Sequence, residues 1–390
     1  MKFWKIFALN CLVIPMSQAA EIEGSIEYQF QHFISAPSYS SQENSAENSV
    51  RVQLDLSEHW GDISLDSEIL VQVNIPDSDR NYADIQKLVI SKNLDTGVAL
   101  IGIDQVYWSV TETRSLTNIV NQVDARNSIY EDEYLGQPLV GFRKFGEAYA
   151  AEVYWLPLSR ERYFPSPESR LRLATIVSND ANFESSKEKH HQDWAARYLH
   201  YLGDSEVAIS YFQGTQRRPI MEPEVAHNGI ILTPFYPLLK QWGFTGLHVT
   251  ENTIYKIEAV HRSTDLDSYV SGDIGIENNT PIPYTEADVD FFVEYLWDER
   301  ADKANTPYQN DLSLSTRLNL NDMQSSEVRF SWVKDLTEST SLYRLQFNRR
   351  LFDSLSIDLD ATWIDGEYPT DPLRSMKNDD YIRLSVAYSF

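Results

Sequence analysis

Cysteine is nearly absent: Cys11 is the only one in 390 residues. It falls in an N-terminal stretch that reads as a leader, so the mature chain has no disulfide, no thiol nucleophile and no thiolate-bound metal. Basic residues are also scarce, with 33 Lys and Arg against 58 Asp and Glu and a formal charge of −25. A surface of that sign repels phosphate backbones, which excludes nucleic-acid binding through bulk electrostatics. Glycine-rich phosphate loops and the dinucleotide fingerprint are missing too. Beyond the leader, no apolar run approaches the ~18 residues that a membrane-spanning helix needs. A mature chain of this kind enters a membrane only as a closed barrel of strands.

The leader itself is legible. Lys2 and Lys5 form a short basic region, an apolar stretch follows over 6–16, and Ser17-Gln18-Ala19-Ala20 offers small residues for cleavage. Cleavage after Ala19 places the small Ser17 three residues upstream of the new terminus. Cleavage after Ala20 would place Gln18 at that site instead. The expected organisation is a signal peptide over 1–19 followed by one domain over 20–390.

Alternation of period 2 dominates the rest. Ile382, Leu384, Val386, Tyr388 and Phe390 alternate with Arg383, Ser385, Ala387 and Ser389. Phe291, Val293, Tyr295 and Trp297 alternate in the same way with Asp290, Phe292, Glu294 and Leu296. A soluble sandwich and a membrane barrel both alternate, so three further features decide between them. The runs extend over roughly 9–12 residues, matching a tilted membrane strand rather than the ~5–6 of globular sheets. Aromatics such as Trp297, Trp332, Trp363, Tyr388 and Phe390 sit at the ends of the apolar faces, and aromatic residues make up 12% of the chain. The sequence also ends on an aromatic within a strand. The expected fold is therefore all-β, a transmembrane antiparallel β-barrel with both termini on the periplasmic side.

The expected strands are 23–33, 48–57, 62–75, 84–93, 97–109, 138–145, 148–157, 192–202, 205–213, 242–250, 253–263, 269–276, 288–298, 309–319, 325–335, 339–351, 354–365 and 379–390. That makes eighteen, with sixteen as the alternative. Short polar connections alternate with long ones, as periplasmic turns alternate with external loops. Two connections fit this alternation poorly: 277–287 is long for a turn, and 336–338 is short for a loop.

Parity places Arg317, Arg329, Arg344, Arg350 and Arg383 on the lumen face, interleaved with Asp290, Glu294, Asp358 and Asp360. These residues either tile and stiffen the wall or set up opposed charged rows at a constriction. The segment 110–137 carries Glu112, Arg114, Asn118, Asn121 and Asp124. It is long enough to fold into the barrel and narrow it; the alternative is a solvated external loop with a short helix over 116–123. Arg160, Arg162, Arg170 and Arg172 either line the mouth, meet lipid phosphates or pair with Glu161 and Glu168. No fixed-spacing metal set accompanies His190 and His191, and no serine motif accompanies His200, His248 and His261. Neither catalysis, nor a metal, nor a cofactor is expected.

The terminal strand with Phe390 resembles the signal read by the barrel-assembly machinery, and the chain as a whole resembles porin-type outer-membrane β-barrels of Gram-negative bacteria. The stretches 135–138, 160–165 and 198–204 are similar to uncharacterised barrels distantly akin to alginate-export channels. The resemblance implies an outer-membrane location and a channel for passive diffusion of small hydrophilic solutes. The alternatives are a plugged barrel serving as a binding or scaffold protein and, further off, an outer-membrane hydrolase. Export of an anionic polysaccharide calls for a strongly basic lumen, from which this acidic chain departs. The expected partners are the barrel-assembly machinery, a small hydrophilic solute, and lipopolysaccharide with divalent cations at acidic outer loops such as 43–47 and 131–133. No nucleic acid is among them.

Overall fold

In the strand Asp288–Asp298 the usual order of a soluble protein is inverted. Phe291 and Trp297 are 50% and 41% exposed, whereas Asp290 and Glu294 are each 3% exposed. Charged residues point inward and aromatics outward, which is stable only where the outer solvent is lipid. In the computed structural model of the chain, which describes residues 21–42, 45–226, 229–304, 306–338, 340–366 and 371–390, the same inversion recurs from strand to strand. The expected leader over 1–19 lies outside these residues, as do two positions of the acidic stretch 43–47.

The barrel strands are β1 (Glu21–Phe33), β2 (Ala46–Trp60), β3 (Ile63–Ile75), β4 (Tyr82–Leu94), β5 (Gly97–Asp104), β6 (Gln137–Phe145), β7 (Tyr149–Leu156), β8 (Asp193–Leu202) and β9 (Ser205–Thr215). They continue with β10 (Leu238–Val249), β11 (Thr253–Ser263), β12 (Ser268–Pro281), β13 (Asp288–Asp298), β14 (Asn310–Asn319), β15 (Glu327–Asp335), β16 (Ser341–Phe352), β17 (Leu355–Asp365) and β18 (Tyr381–Ser389). Each pairs antiparallel with its sequence neighbours, and β18 returns to β1. The result is a closed sheet of eighteen strands without a free edge, as hydrocarbon demands.

Phe390 fastens the seam. Its backbone exchanges two 2.9 Å hydrogen bonds with Gly24, and its ring covers that glycine so closely that a Cβ there would lie 2.7 Å from Cζ. At the other end of the barrel, where the long connections emerge, Trp194, Trp242, Trp297 and Trp332 form one aromatic girdle. Tyr149, Tyr255, Phe352 and Phe390 form the second girdle at the turn end.

All eighteen expected strands occur, so the sixteen-strand alternative falls. Their limits differ where side chains override periodicity. β5 stops at Asp104 rather than running to 109, because Val106 and Trp108 turn inward and bury in the lumen. β10 begins at Leu238, since Leu238 to Gln241 pair with the end of β9. β12 continues to Pro281, which shortens the awkward connection to 282–287. The expectation had no counterpart for a hairpin of Ile220–Ala226 and Gly229–Tyr236 in the connection between β9 and β10.

Candidate functional site: the in-folded loop and the loop-end cavity

The connection 105–136 between β5 and β6 enters the lumen. Its first part packs Val106, Trp108, Ile119 and Val120 against inward residues of the wall, among them Leu100, Leu139, Tyr154, Phe212 and Leu239. Asn121 holds the backbone of Val106 at both N and O (2.9 Å each), and Asn118 Oδ1 accepts from the N–H groups of Trp108 (2.6 Å) and Ser109 (3.0 Å). The short polar side chains of this segment therefore organise the loop's own backbone. The alternative of a solvated external loop with a short helix over 116–123 falls: that stretch has no helix, and Gln122–Val123 pairs with Tyr134–Leu135.

The tip of the loop wraps a buried carboxylate. Glu258 of β11 accepts at one oxygen from Ser109 Oγ (2.6 Å), Val110 N (2.5 Å) and Thr111 N (3.4 Å). Its other oxygen accepts from Leu116 N (3.0 Å), Thr117 N (3.2 Å) and Thr117 Oγ1 (3.3 Å). On β13, Glu294 accepts from Glu112 N and Thr113 N at 2.8 Å each. Hydrogen bonds to an ionised acceptor are the stronger kind, so these two glutamates are the loop's principal anchors.

From the tip onward, the loop also meets charged residues of several strands. Glu112 meets Lys256 (3.1 Å) and Arg329 (3.6 Å), and Asp132 meets Arg344 (3.7 Å). Glu133 binds Arg51 at 2.9 Å, while Asn127 O accepts from Arg383 at 3.2 Å. Arg344 also stacks on the Tyr130 ring, 4.0 Å from its centroid. Asp124 takes a different role from the loop-tip residues, pairing with Arg126 within the same segment.

The wall residues read from parity occupy definite places. Arg317 pairs with Asp290 at 2.8 Å and Arg344 with Asp360 at 2.6 Å; Asn348 donates to Asp358 at 2.5 Å and Arg383 to Gln31 at 2.8 Å. Much of the charge thus tiles the wall, while Arg329, Arg344 and Arg383 also grip the loop. Arg350 is exposed and donates to Met323 O (3.0 Å) in the turn 320–326, which places it at the rim beside that turn.

Above the loop, on the side of the long connections, lies a cavity of about 650 Å³. It receives Arg114 from the loop, Arg262 from β11, and Arg162, Arg217, Arg218, Arg300 and Lys303 from the outer connections. Arg162 and Arg218 both pair with Glu131, in the first case at 2.5 Å. Burial works to raise the Glu131 carboxyl, yet these two cations hold it at about 2. Arg114 donates to Tyr308 O at 2.7 Å and stands 3.6 Å from Asp298. Burial, together with the Arg262 and Arg218 charges, pulls its guanidinium down to about 10.

No protein-family model matches this chain, and neither does any curated protein. Among solved structures it is similar to OccK2 (OpdF) of Pseudomonas aeruginosa, with a TM-score of 0.57 at 9% identity over 95% of this chain and 97% of that one. OccK2 in complex with glucuronate matches with a TM-score of 0.55 at 10% identity, over 95% and 96%. The fold is that of a porin-type β-barrel. At these identities the likeness concerns the fold alone.

Within this porin-type barrel several functional positions escaped the sequence reading. Glu258 shares inward parity with Lys256, Val260 and Arg262, which was signal enough to place it in the lumen, but nothing local marks it as the loop's anchor. The arginines of the connections carry no spacing signal at all. Arg160 pairs with Asp84 (2.7 Å) and Arg170 with Asp379 (2.7 Å), and Arg172 donates to backbone oxygens such as Leu173 O (2.7 Å), so Glu161 and Glu168 are not their partners. His200, His248 and His261 face outward; His248 and His261 each touch a serine, Ser205 at 2.7 Å and Ser268 at 3.2 Å. Among the described residues one acidic cluster, Asp335, Glu338 and Asp371, brings its carboxylate oxygens within 4.8 Å of one another. There Asp335 accepts from the N–H groups of Thr337 and Glu338 (2.7 Å each) and Asp371 from Leu373 N (2.7 Å), which orders the backbone at 337–338 and at 371–373.

Proposed function

We propose that the protein is an outer-membrane diffusion channel for small hydrophilic solutes in a Gram-negative bacterium, with the connection 105–136 as its constriction. The observation that carries this reading is the loop anchored inside a closed barrel by Glu258 and Glu294, below a cavity of about 650 Å³ at the loop end. Transport is passive: solutes enter the charged cavity and pass the points where Glu112 meets Arg329 and Asp132 meets Arg344. The protein is not an enzyme in this reading. A leader over 1–19 and a single barrel domain over 20–390 complete it, with both termini on the periplasmic side. Phe390 serves as the signal for the barrel-assembly machinery, and lipopolysaccharide with divalent cations meets the outer loops.

A second reading has its own support. The loop touches walls as far apart as β2 and β11 to β16, which suits a plugged barrel acting as a binding or scaffold protein. Purified protein reconstituted in planar bilayers separates the two. Discrete single-channel steps are expected, and a folded protein that never conducts at any voltage selects the plugged barrel.

A further inference from the structure

We infer that the loop-end cavity binds a small organic monoanion with an apolar body, a carboxylate carrying a hydrocarbon or aryl group of about six carbons. This deepens the channel reading by naming the solute class, although the site's geometry stands independently of conduction.

Positive charge is in surplus among the described lining residues: the seven cations named above stand against four carboxylates, Glu112, Glu131, Asp132 and Asp267. Arg162 and Arg218 converge on Glu131, and Arg114 and Arg300 on Asp298. Arg262 donates to Gln241 (2.7 Å) and Leu116 O (2.9 Å), which are neutral. The depressed Arg114 guanidinium senses this crowding of cations. Two donors also lack acceptors: Arg162 Nε and Arg217 Nη2 are buried without a hydrogen-bond partner. An orphaned buried donor costs about 1–3 kcal/mol, which an entering carboxylate relieves.

The shape supplies the second half. A smaller cavity of about 130 Å³ adjoins the first, and the two share Glu131, Arg162, Arg218, Met221 and Thr306. The rest of its wall is mainly apolar, with Ile129, Phe164, Leu171, Pro307, Leu373 and Met376. That volume is close to the ~150 Å³ of an apolar cavity that admits benzene. The hydroxyls of a sugar acid would stand unpaired against this wall, whereas a six-carbon chain or ring fills it. Arg162, with its unpartnered Nε, stands at the junction where the charged head and the apolar body part.

The test is calorimetric titration of detergent-purified barrel with hexanoate, hexan-1-ol, acetate and glucuronate. Hexanoate is expected to bind at least tenfold more tightly than each of the others. Arg162→Gln and Leu373→Asp, each checked for folding by heat-modifiable gel mobility, are expected to weaken hexanoate at least tenfold. Equal affinity for hexan-1-ol overturns the anion assignment, and equal affinity for glucuronate overturns the apolar body. No hexanoate binding by a conducting channel overturns the inference and leaves the channel standing. Hexanoate binding by a barrel that never conducts supports the site and removes the channel.

Discussion

Replacing Glu258 with Ala removes the acceptor around which the tip of the 105–136 loop is wound. Four backbone N–H groups, those of Val110, Thr111, Leu116 and Thr117, lose their partner together with two hydroxyls. Each such bond to a charged acceptor is worth about 1.5–3 kcal/mol, but water in an opened lumen recovers part of it. Taking about 1 kcal/mol net per backbone donor, the closed loop loses about 4 kcal/mol, on the order of 1000-fold in its local opening equilibrium. The two bonds to Glu294 remain, so the loop loosens without leaving the barrel. Hydrogen exchange read by mass spectrometry is therefore expected to speed up by orders of magnitude in the peptide covering 109–117 and to stay unchanged in the barrel strands. In bilayers, the same variant should show larger and noisier single-channel steps. Glu258→Gln keeps one acceptor oxygen but turns an amide donor toward donors, and it should fall between the two. A folded Glu258→Ala protein whose 109–117 amides exchange within threefold of the parent refutes the reasoning.

Three further outcomes follow from the geometry. Gly24→Val forces a side chain into the space filled by the Phe390 ring, and deletion of Phe390 removes the backbone bonds at the seam. Both are expected to lower the heat-modifiable fraction at the outer membrane, and unchanged surface levels would speak against the closure described here. Arg170→Met leaves Asp379 buried without its 2.7 Å counter-charge, with an expected loss of about 3–5 kcal/mol in a melting measurement; a melting point equal to the parent's rejects that account. The pH dependence of the Glu131 pairs has a definite sign. Because its carboxyl is held at about 2 in the folded state, the pairs contribute fully above the ordinary carboxylate range and fade only as pH falls toward that value. The protection of the 128–134 amides, corrected for the intrinsic pH dependence of exchange, should thus stay unchanged between about pH 7 and about pH 5.5, and a release at the lower pH contradicts the assignment.

The barrel was legible because its physics is local. In β13, Phe291 and Trp297 outward with Asp290 and Glu294 inward can be read from a two-residue period alone, and the same pattern repeated around the sheet fixes strand number, face and closure. Boundaries failed where a side chain found a better partner than the ladder. Trp108 leaves the line of β5 to bury against Tyr154 and to donate from its indole to Glu152 at 2.9 Å. Nothing in the residues between 105 and 109 announces that partner, which lies on β7.

Alternation and residue type by themselves therefore determined a transmembrane barrel, its lumen face and the loop long enough to enter it. The direction in which that loop folds, and what holds it, depended on Glu258 and Glu294, which stand roughly 140 to 180 residues away in the sequence. The net charge was a similar case. A formal −25 describes the whole chain. Only the folded structure gathers Arg114, Arg162, Arg218, Arg262 and Arg300 around one cavity, because long-range packing decides which charges share a low-dielectric space.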